Sequence, residues 1–380
     1  MARKVKSTGN KKPVVPFVDR NKDFYNDILE RLINKIQYAL DNNVSLGDCL
    51  GYGSGGLSRK GKKSKTTEKV QVNVHPTNFV HNRFYNGSNR NKLSIVVALY
   101  NYQTGWFGGF RQWNEAGCSV IAGQKGHKCR FFNDDPLNLK QKEENTTAKS
   151  NGEFEPHSED GRTSTFYVFN LDQVQGNTPE AVALIEKLKT TKKVSKIVHT
   201  VFTPAVEAIN PECPPLDAFG DEWYNIDCLD NIKMNQLKIS VDSGHRLACY
   251  DPQNHKVNMP NMCSGFKSSA HFYSTFLHEL AHATAPECRR ELQIPIFGML
   301  GEVYANEELI AELTAWILSV EMGLWLETDE KATNPSYLNH WLTNLKKSPD
   351  FLRTIMLEVN KACATIRKAI GVQLDPETMD

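Results

Sequence analysis

The segment Phe276–His282, FLHELAH, sets His278 and His282 four positions apart with Glu279 beside the first. On a helix, residues i and i+4 share a face, so the two imidazoles can converge on one metal ion while Glu279 stands next to it as a base. Catalytic zinc takes three protein ligands and keeps one position open. A third ligand is therefore needed, and the sequence offers two. Cys288 follows His282 by six residues, where metzincins carry a histidine, but the chain would have to turn at Ala285, where those enzymes have glycine, and Pro286 follows. Glu308 is better placed, in ANEELIAELTAWIL (Ala305–Leu318), a second predicted helix. There Glu308 and Glu312 are again i and i+4: Glu308 can ligate while Glu312 accepts a hydrogen bond from the far nitrogen of a ligand histidine, and Glu307 points elsewhere. Carboxylates on a face shared with Leu309, Ile310, Leu313 and Trp316 are costly to bury unpaired, which favours a metal-linked role over a solvated one. With Zn2+ as cofactor, Glu279 takes a proton from the attacking water and delivers it to a leaving amine, as in peptide hydrolysis. Tyr304 or Tyr250 offers an oxyanion donor.

The chain that must position these groups has 380 residues, 40% hydrophobic and 23% charged, an ordinary globular composition with room for two or three domains. No apolar run approaches the ~18 residues of a membrane span, and the basic N-terminus MARKVKSTGNKK is followed by no apolar h-region. The expectation is a cytoplasmic protein with no membrane partner. Nine cysteines, an odd number without a CxxC pair, suit reduced thiols better than a disulfide framework.

The net charge of +1 conceals an asymmetry. Through Asn133 there are 22 Lys+Arg against 8 Asp+Glu, and beyond it 23 against 36. A basic module followed by an acidic one points to a polyanionic partner for the first, nucleic acid foremost. In that half Phe84, Tyr85, Tyr100, Tyr102, Trp106, Phe107, Phe110 and Trp113 are interleaved with Arg83, Arg90, Lys92, Arg111, Lys125, Lys128 and Arg130. Aromatic faces for bases and cations for phosphates are the mixture that holds single-stranded DNA.

Residues 1–20 read as a disordered basic tail, and the apolar spacing from Lys22 to Asn42 predicts an amphipathic helix. Gly51–Glu68 reads as a flexible loop. Leu93–Tyr100 reads as a buried strand or a short helix, and Ser119–Ile121 with Cys129–Phe132 as a hairpin. Residues 136–163 read as a polar insertion between a unit at 21–135 and a second at 164–375. In the second, Thr165–Gly176 reads as a strand, Pro179–Thr190 as a helix and Leu247–Pro260 as a hairpin turning at Asp251–Asn254.

Taken together the motifs resemble the ArdC-type antirestriction proteins of conjugative plasmids and phages. The resemblance runs from about Phe24 to about Ile370. It rests on YNGSN (Tyr85–Asn89), Trp106 with Gln112, GCSVIAGQKG (Gly117–Gly126), YVFNLDQVQG (Tyr167–Gly176), Tyr250–Pro260, HELAHAT, YANEELIAEL and SYLNHWLTNLKKSP (Ser336–Pro349). The chain departs from the family pattern at Ala283–Pro286 and in carrying the lysine-rich loop after its first helix. The resemblance implies an α+β protein of two domains, an N-terminal mixed α/β domain that binds single-stranded DNA and a C-terminal zincin-like metallopeptidase domain with an HExxH helix. It implies His278, His282 and Glu308 as metal ligands, Glu279 as the base, and the Tyr85–Lys128 region as the DNA surface. The candidate DNA contacts are Arg83, Tyr85, Asn89, Arg90, Lys92, Trp106, Arg111, Trp113, Lys125 and Lys128. A protein substrate is a further expected partner, in a bacterial host cell. Two other readings stay open: a zinc endopeptidase whose N-terminal half only selects its target, and a non-catalytic zinc-containing DNA-binding protein.

Overall fold

The computed structural model describes residues 23–44, 46, 49, 75–132, 163–191, 202–204, 216–218, 223–230, 237–292, 301–322, 324, 333 and 335–371. The basic tail, the loop at 51–68 and residues 136–162 of the polar insertion lie outside them. The fold is α+β in two domains, and no helix of the described residues is long and apolar enough to cross a membrane.

The predicted first helix is α1, Asn26–Asn42, which buries Ile28, Leu32, Ile36 and Ala39 along one stripe. After it come β1 (Thr77–Asn78), β2 (Arg83–Phe84), α2 (Gly87–Leu99), β3 (Trp106–Gly109), α3 (Phe110–Glu115), β4 (Cys118–Val120), β5 (His127–Phe132), β6 (Thr163–Asn170), β7 (Val174–Gly176) and α4 (Pro179–Thr190). Five strands form one sheet in the order β2-β1-β3-β6-β5, antiparallel apart from the β1–β3 pair. The segment read as strand or helix is the helix α2. It is buried all round from Arg90 to Leu99, which explains why its apolar run LSIVVAL carries no period of its own. The expected hairpin is not formed: β4 pairs with β7 and β5 with β6. β6 is the longer partner and matches all six residues of β5, from His127 opposite Val168 to Phe132 opposite Thr163. The strand that opens the second unit in the sequence reading thus lies between β3 and β5 of the first sheet.

Besides short helices of four residues, the remaining elements are β8 (Phe202–Pro204), β9 (Tyr224–Ile226), β10 (Ser240–Asp242), β11 (Cys249–Asp251), β12 (Lys256–Asn258), α5 (Ser269–Ala283), α6 (Glu302–Glu321), α7 (Pro335–Lys347) and α8 (Pro349–Ala369). β11 and β12 make the hairpin expected before the HELAH helix. One hydrophobic core runs from α1 and α2 through α5, α6, α7 and α8. A satellite cluster of Trp106, Trp113, Cys118, Leu171, Val174, Ala181, Ile185 and Leu188 lies under α4. Among the described residues, Cys118, Cys129, Cys249, Cys288 and Cys363 are free thiols and Cys263 is disulfide-bonded. An odd number of cysteines is incompatible with a fully paired framework and still leaves room for a single bridge.

Two buried polar networks tie α1 and α2 to the rest. Glu321, at the end of α6, meets Arg367 of α8 through Nη2 at 2.5 Å and Nε at 3.0 Å, and Arg90 of α2 through Nε at 2.9 Å. Arg367 also donates to Asn91 at 2.6 Å. Burial would raise the Glu321 carboxyl, but the two guanidiniums hold it below the usual range. Two residues further along α2, Lys92 lies 2.8 Å from Asp27 Oδ1 of α1 and donates to the Lys128 carbonyl at 2.8 Å. Asp27 Oδ2 lies 3.0 Å from His127 Nδ1, whose Nε2 meets Tyr102 at 2.9 Å. Glu321→Gln leaves two buried guanidiniums without a counter-charge. Removing one partner of such a cluster costs about 3–5 kcal/mol. The variant is expected to unfold at a much lower urea midpoint than the wild type with an unchanged slope, and an unchanged midpoint would refute this account.

Candidate metal centre

Helix α5 starts at Ser268, whose hydroxyl accepts from the His271 N–H at 3.2 Å. Its N-terminal half is pinned by Tyr273, which accepts from the Ile226 N–H at 2.8 Å, and by Ser269, which accepts from Tyr224 N–H at 2.8 Å. Its apolar face, with Phe276, Leu277, Leu280 and Ala281, packs along α6. This packing sets the two functional stripes opposite each other.

The Nε2 atoms of His278 and His282 lie 3.2 Å apart, Glu308 Oε2 is 3.5 Å from His278 Nε2, and Glu308 Oε1 is 3.6 Å from His282 Nε2. Among the described residues these three form the one group whose ligand atoms all fall within 4.8 Å of one another. Two atoms bonded to one tetrahedral zinc at ~2.1 Å stand ~3.4 Å apart, so the spacing fits a shared divalent ion better than a set of ordinary hydrogen bonds. Glu279, next in the chain to His278, is buried, and its charge acts on that imidazole. Cys288 lies apart from the cluster, its Sγ 3.6 Å from Thr365 Oγ1 of α8.

The histidine partner differs from the expectation. Glu307, not Glu312, lies 3.2 Å from His282 Nδ1, and it is held in turn by Arg290. Positions 307 and 308 are about 100° apart around α6. The Nε2 of His282 faces one of them and its Nδ1 the other, a relation set by how α5 crosses α6 and absent from the i, i+4 spacing. Glu312 makes no hydrogen bond to either ring. Burial raises its pKa, and its charge interacts with His278, Glu308 and His282. Tyr304 hydrogen-bonds Glu308 and packs against Tyr337 with ring centroids 5.9 Å apart, whereas the Tyr250 hydroxyl is engaged with His255 Nδ1 at 2.6 Å.

Burial favours neutral His278, but the Glu308 carboxylate and the charges of Glu312 and Glu279 outweigh it and raise its pKa to about 10. Burial likewise opposes ionised Glu308, which His278, His282 and the Tyr304 hydroxyl bring down to about 2. Without a metal, the site is an imidazolium–carboxylate pair.

The candidate DNA contacts divide. Arg90 and Lys92 are buried in the networks above, with burial favouring their neutral forms. Trp106 donates to the Leu188 carbonyl at 3.0 Å, and Trp113, stacked on Phe79 at 3.8 Å, donates to the Phe169 carbonyl at 3.1 Å. These four are structural and present nothing to a ligand. Lys128 pairs with Asp23, and Asn89 exchanges hydrogen bonds with the Arg130 backbone at 2.6 and 2.8 Å. Tyr85, half-buried, packs edge-on to Phe107. Arg83, Arg111 and Lys125 are exposed, Arg111 in a surface pair with Glu115. Among the open rings are Phe110, 56% exposed, and Tyr167, 53% exposed. Phe110 belongs to the aromatic series of the basic half, and Tyr167 is legible from alternation in β6, where its neighbours Phe166 and Val168 face the core.

Two family models match successive parts of the chain: the N-terminal domain of anti-restriction factor ArdC over residues 57–169, and a zincin-like metallopeptidase over residues 229–355. A crystal structure of the antirestriction ArdC protein from R388 plasmid, Mn(II)-bound, superposes with a TM-score of 0.52 at 20% identity, covering 92% of this chain and 98% of that one. The uncharacterized protein y4eC of Sinorhizobium fredii (strain NBRC 101917 / NGR234) is 22% identical over 290 residues, 76% of this chain and 78% of its own. The DNA primase TraC of Escherichia coli is 31% identical over 157 residues, 41% of this chain but 14% of TraC.

Because His278 is raised above its ordinary 6.5, its pairing stabilises the metal-free protein below about pH 6.5, and this is lost as the pH rises through about 10. Glu308, lowered from 4.5, contributes above about pH 4.5 and loses its contribution as the pH falls through about 2. A metal must displace the His278 proton, so divalent-ion affinity is expected to climb about tenfold per pH unit between 7 and 9. Calorimetric titration in buffers of different ionisation enthalpy measures the protons released per ion, and a value near zero would contradict the assignment.

Proposed function

We propose that this chain, ArdC-type in both of its domains, is an antirestriction protein that binds single-stranded DNA and cleaves peptide bonds of a protein partner at a zinc centre. The convergence of His278, His282 and Glu308 with Glu279 beside them is the observation that carries the catalytic part. The donor set, two imidazoles and a carboxylate, suits zinc and leaves a position open. When bound, the ion supplies Lewis-acid polarisation of a scissile carbonyl. Glu279 receives the proton of the attacking water and returns it to the leaving nitrogen. Tyr304, hydrogen-bonded to Glu308, brings a hydroxyl to the cluster as a candidate donor to the oxyanion.

The DNA-binding part rests on the outer face of the first sheet. There the exposed rings of Phe110 and Tyr167 flank Phe169, which Phe110 meets edge-on at 6.3 Å. The loop before β5 packs closely against this face at Gly126, where a Cβ would lie 2.9 Å from Phe169 and 3.1 Å from Tyr167. Lys125 and Arg111 border the rings and Arg83 stands at the β2 edge, all exposed in the basic half of the chain. Rings for bases with cations for phosphates favour a single strand over a duplex, whose bases are stacked out of reach. The setting proposed is the bacterial cytoplasm, on a mobile element's DNA.

Glu279→Gln is expected to retain zinc and lower peptide-library cleavage by at least ~100-fold; cleavage at the wild-type rate would remove the peptidase reading. Phe110→Ala and Tyr167→Ala are each expected to weaken binding of labelled oligo-dT by roughly 1–3 kcal/mol, with an affinity that falls linearly in log salt. Trp113→Ala acts on stability instead. Salt-independent binding, or unaltered affinity in both ring variants, would locate the DNA elsewhere.

A further inference from the structure

Arg290 is a cation that the hydrolytic mechanism does not use, yet its side chain is 5% exposed and every donor is directed at the metal-site helices. Its Nε and Nη2 form a two-pronged contact with Glu307, 2.9 Å to Oε2 and 2.8 Å to Oε1. Nη2 also donates to the Ala281 carbonyl at 2.7 Å and Nη1 to Thr284 Oγ1 at 3.1 Å, both in the last turn of α5 around His282. The chain reaches back this way because Arg289 adopts the left-handed conformation, φ 57°, at the end of the short helix Ala285–Cys288. Glu307 Oε1 then accepts from His282 Nδ1 at 3.2 Å, which keeps the proton on that nitrogen and leaves the Nε2 lone pair toward His278 and Glu308.

We propose that Arg290 is a positioning residue for the metal: by fixing the Glu307 carboxylate and the end of α5, it locks the tautomer and ring orientation of His282. This rests on reading His278, His282 and Glu308 as metal ligands. A fork to a carboxylate restrains orientation as well as charge, which a single ammonium contact does not. Glu307, 4% exposed on its side chain, would otherwise be a buried anion joined only to an imidazole. An alternative role, closing the last carbonyls of α5, affects stability without touching the metal.

The test uses the full chain. Zinc affinity is measured by chelator competition, and the visible spectrum is recorded with Co2+ in place of zinc, for wild type, Arg290→Met and Glu307→Gln, beside the melting temperature of each metal-free protein. A wild type that takes up no zinc overturns the metal reading, and the positioning role with it, before any variant is compared. With zinc bound in the wild type, both variants are expected to bind it ~10–100-fold more weakly, with a changed Co2+ absorption band. Affinity within twofold of wild type and an unchanged band, whatever the melting temperature, reduces Arg290 to a helix cap and overturns the proposal. Should Arg290→Met fail to fold, Glu307→Gln decides by the same criteria, because it removes the anion while preserving side-chain size.

Discussion

The burial of carboxylates along one helix is the constraint around which the rest is arranged. α6 carries Glu307, Glu308 and Glu312 near its start and Glu321 at its end, on a helix whose other faces are filled by Leu309, Ile310, Leu313, Trp316 and Ile317. A carboxylate in such surroundings must find a cation, a metal or a dense set of donors. Three of the four do so on different neighbours: Glu307 on Arg290, Glu308 on the α5 histidines, Glu321 on Arg367 of α8 and Arg90 of α2, whereas burial raises the pKa of Glu312. The positions of α2, α5 and α8 around α6 answer to these pairings as much as to apolar contact.

The same constraint accounts for where the basic residues of the N-terminal half went. Arg90 and Lys92 compensate acidic groups on α6 and α1, and Lys128 meets Asp23. Arg130 lies over the Phe24 ring at 3.9 Å and Arg31 over Tyr100 at 3.8 Å. Charge counts along the sequence include all of these, although only cations left in solvent can meet a phosphate backbone. The basic character of the half is thus partly structural, and the surface that can meet DNA is narrower than the composition suggests.

The two modules share a core. α1 packs on α7 and α8 as well as on α2, Asn91 donates to Asn360 at 2.7 Å, and Lys346 reaches Gln37 at 3.2 Å. Helix α2, which packs against β5 of the sheet, also abuts α6, the helix that carries Glu308. A perturbation at Glu321 reaches both modules through side chains that are fully buried and have no room to relax independently.

The sequence by itself determined the short-range relations. An i, i+4 spacing is a property of the helix alone, so HELAH and the Glu308 stripe were legible once two helices were inferred, as were α1, α4 and the β11–β12 hairpin. Helix α2 carried no period because all its faces are covered, and β5 found its partner across a long insertion, which no local pattern encodes. Only the tertiary structure decided that Glu307 rather than Glu312 supports His282, that Arg290 returns to brace it, that Trp106 and Trp113 are core while Phe110 and Tyr167 are open, and which cations are spent inside. These depend on how one helix crosses another and on which face of a strand the core takes, relations between residues far apart in the chain that periodicity and composition do not contain.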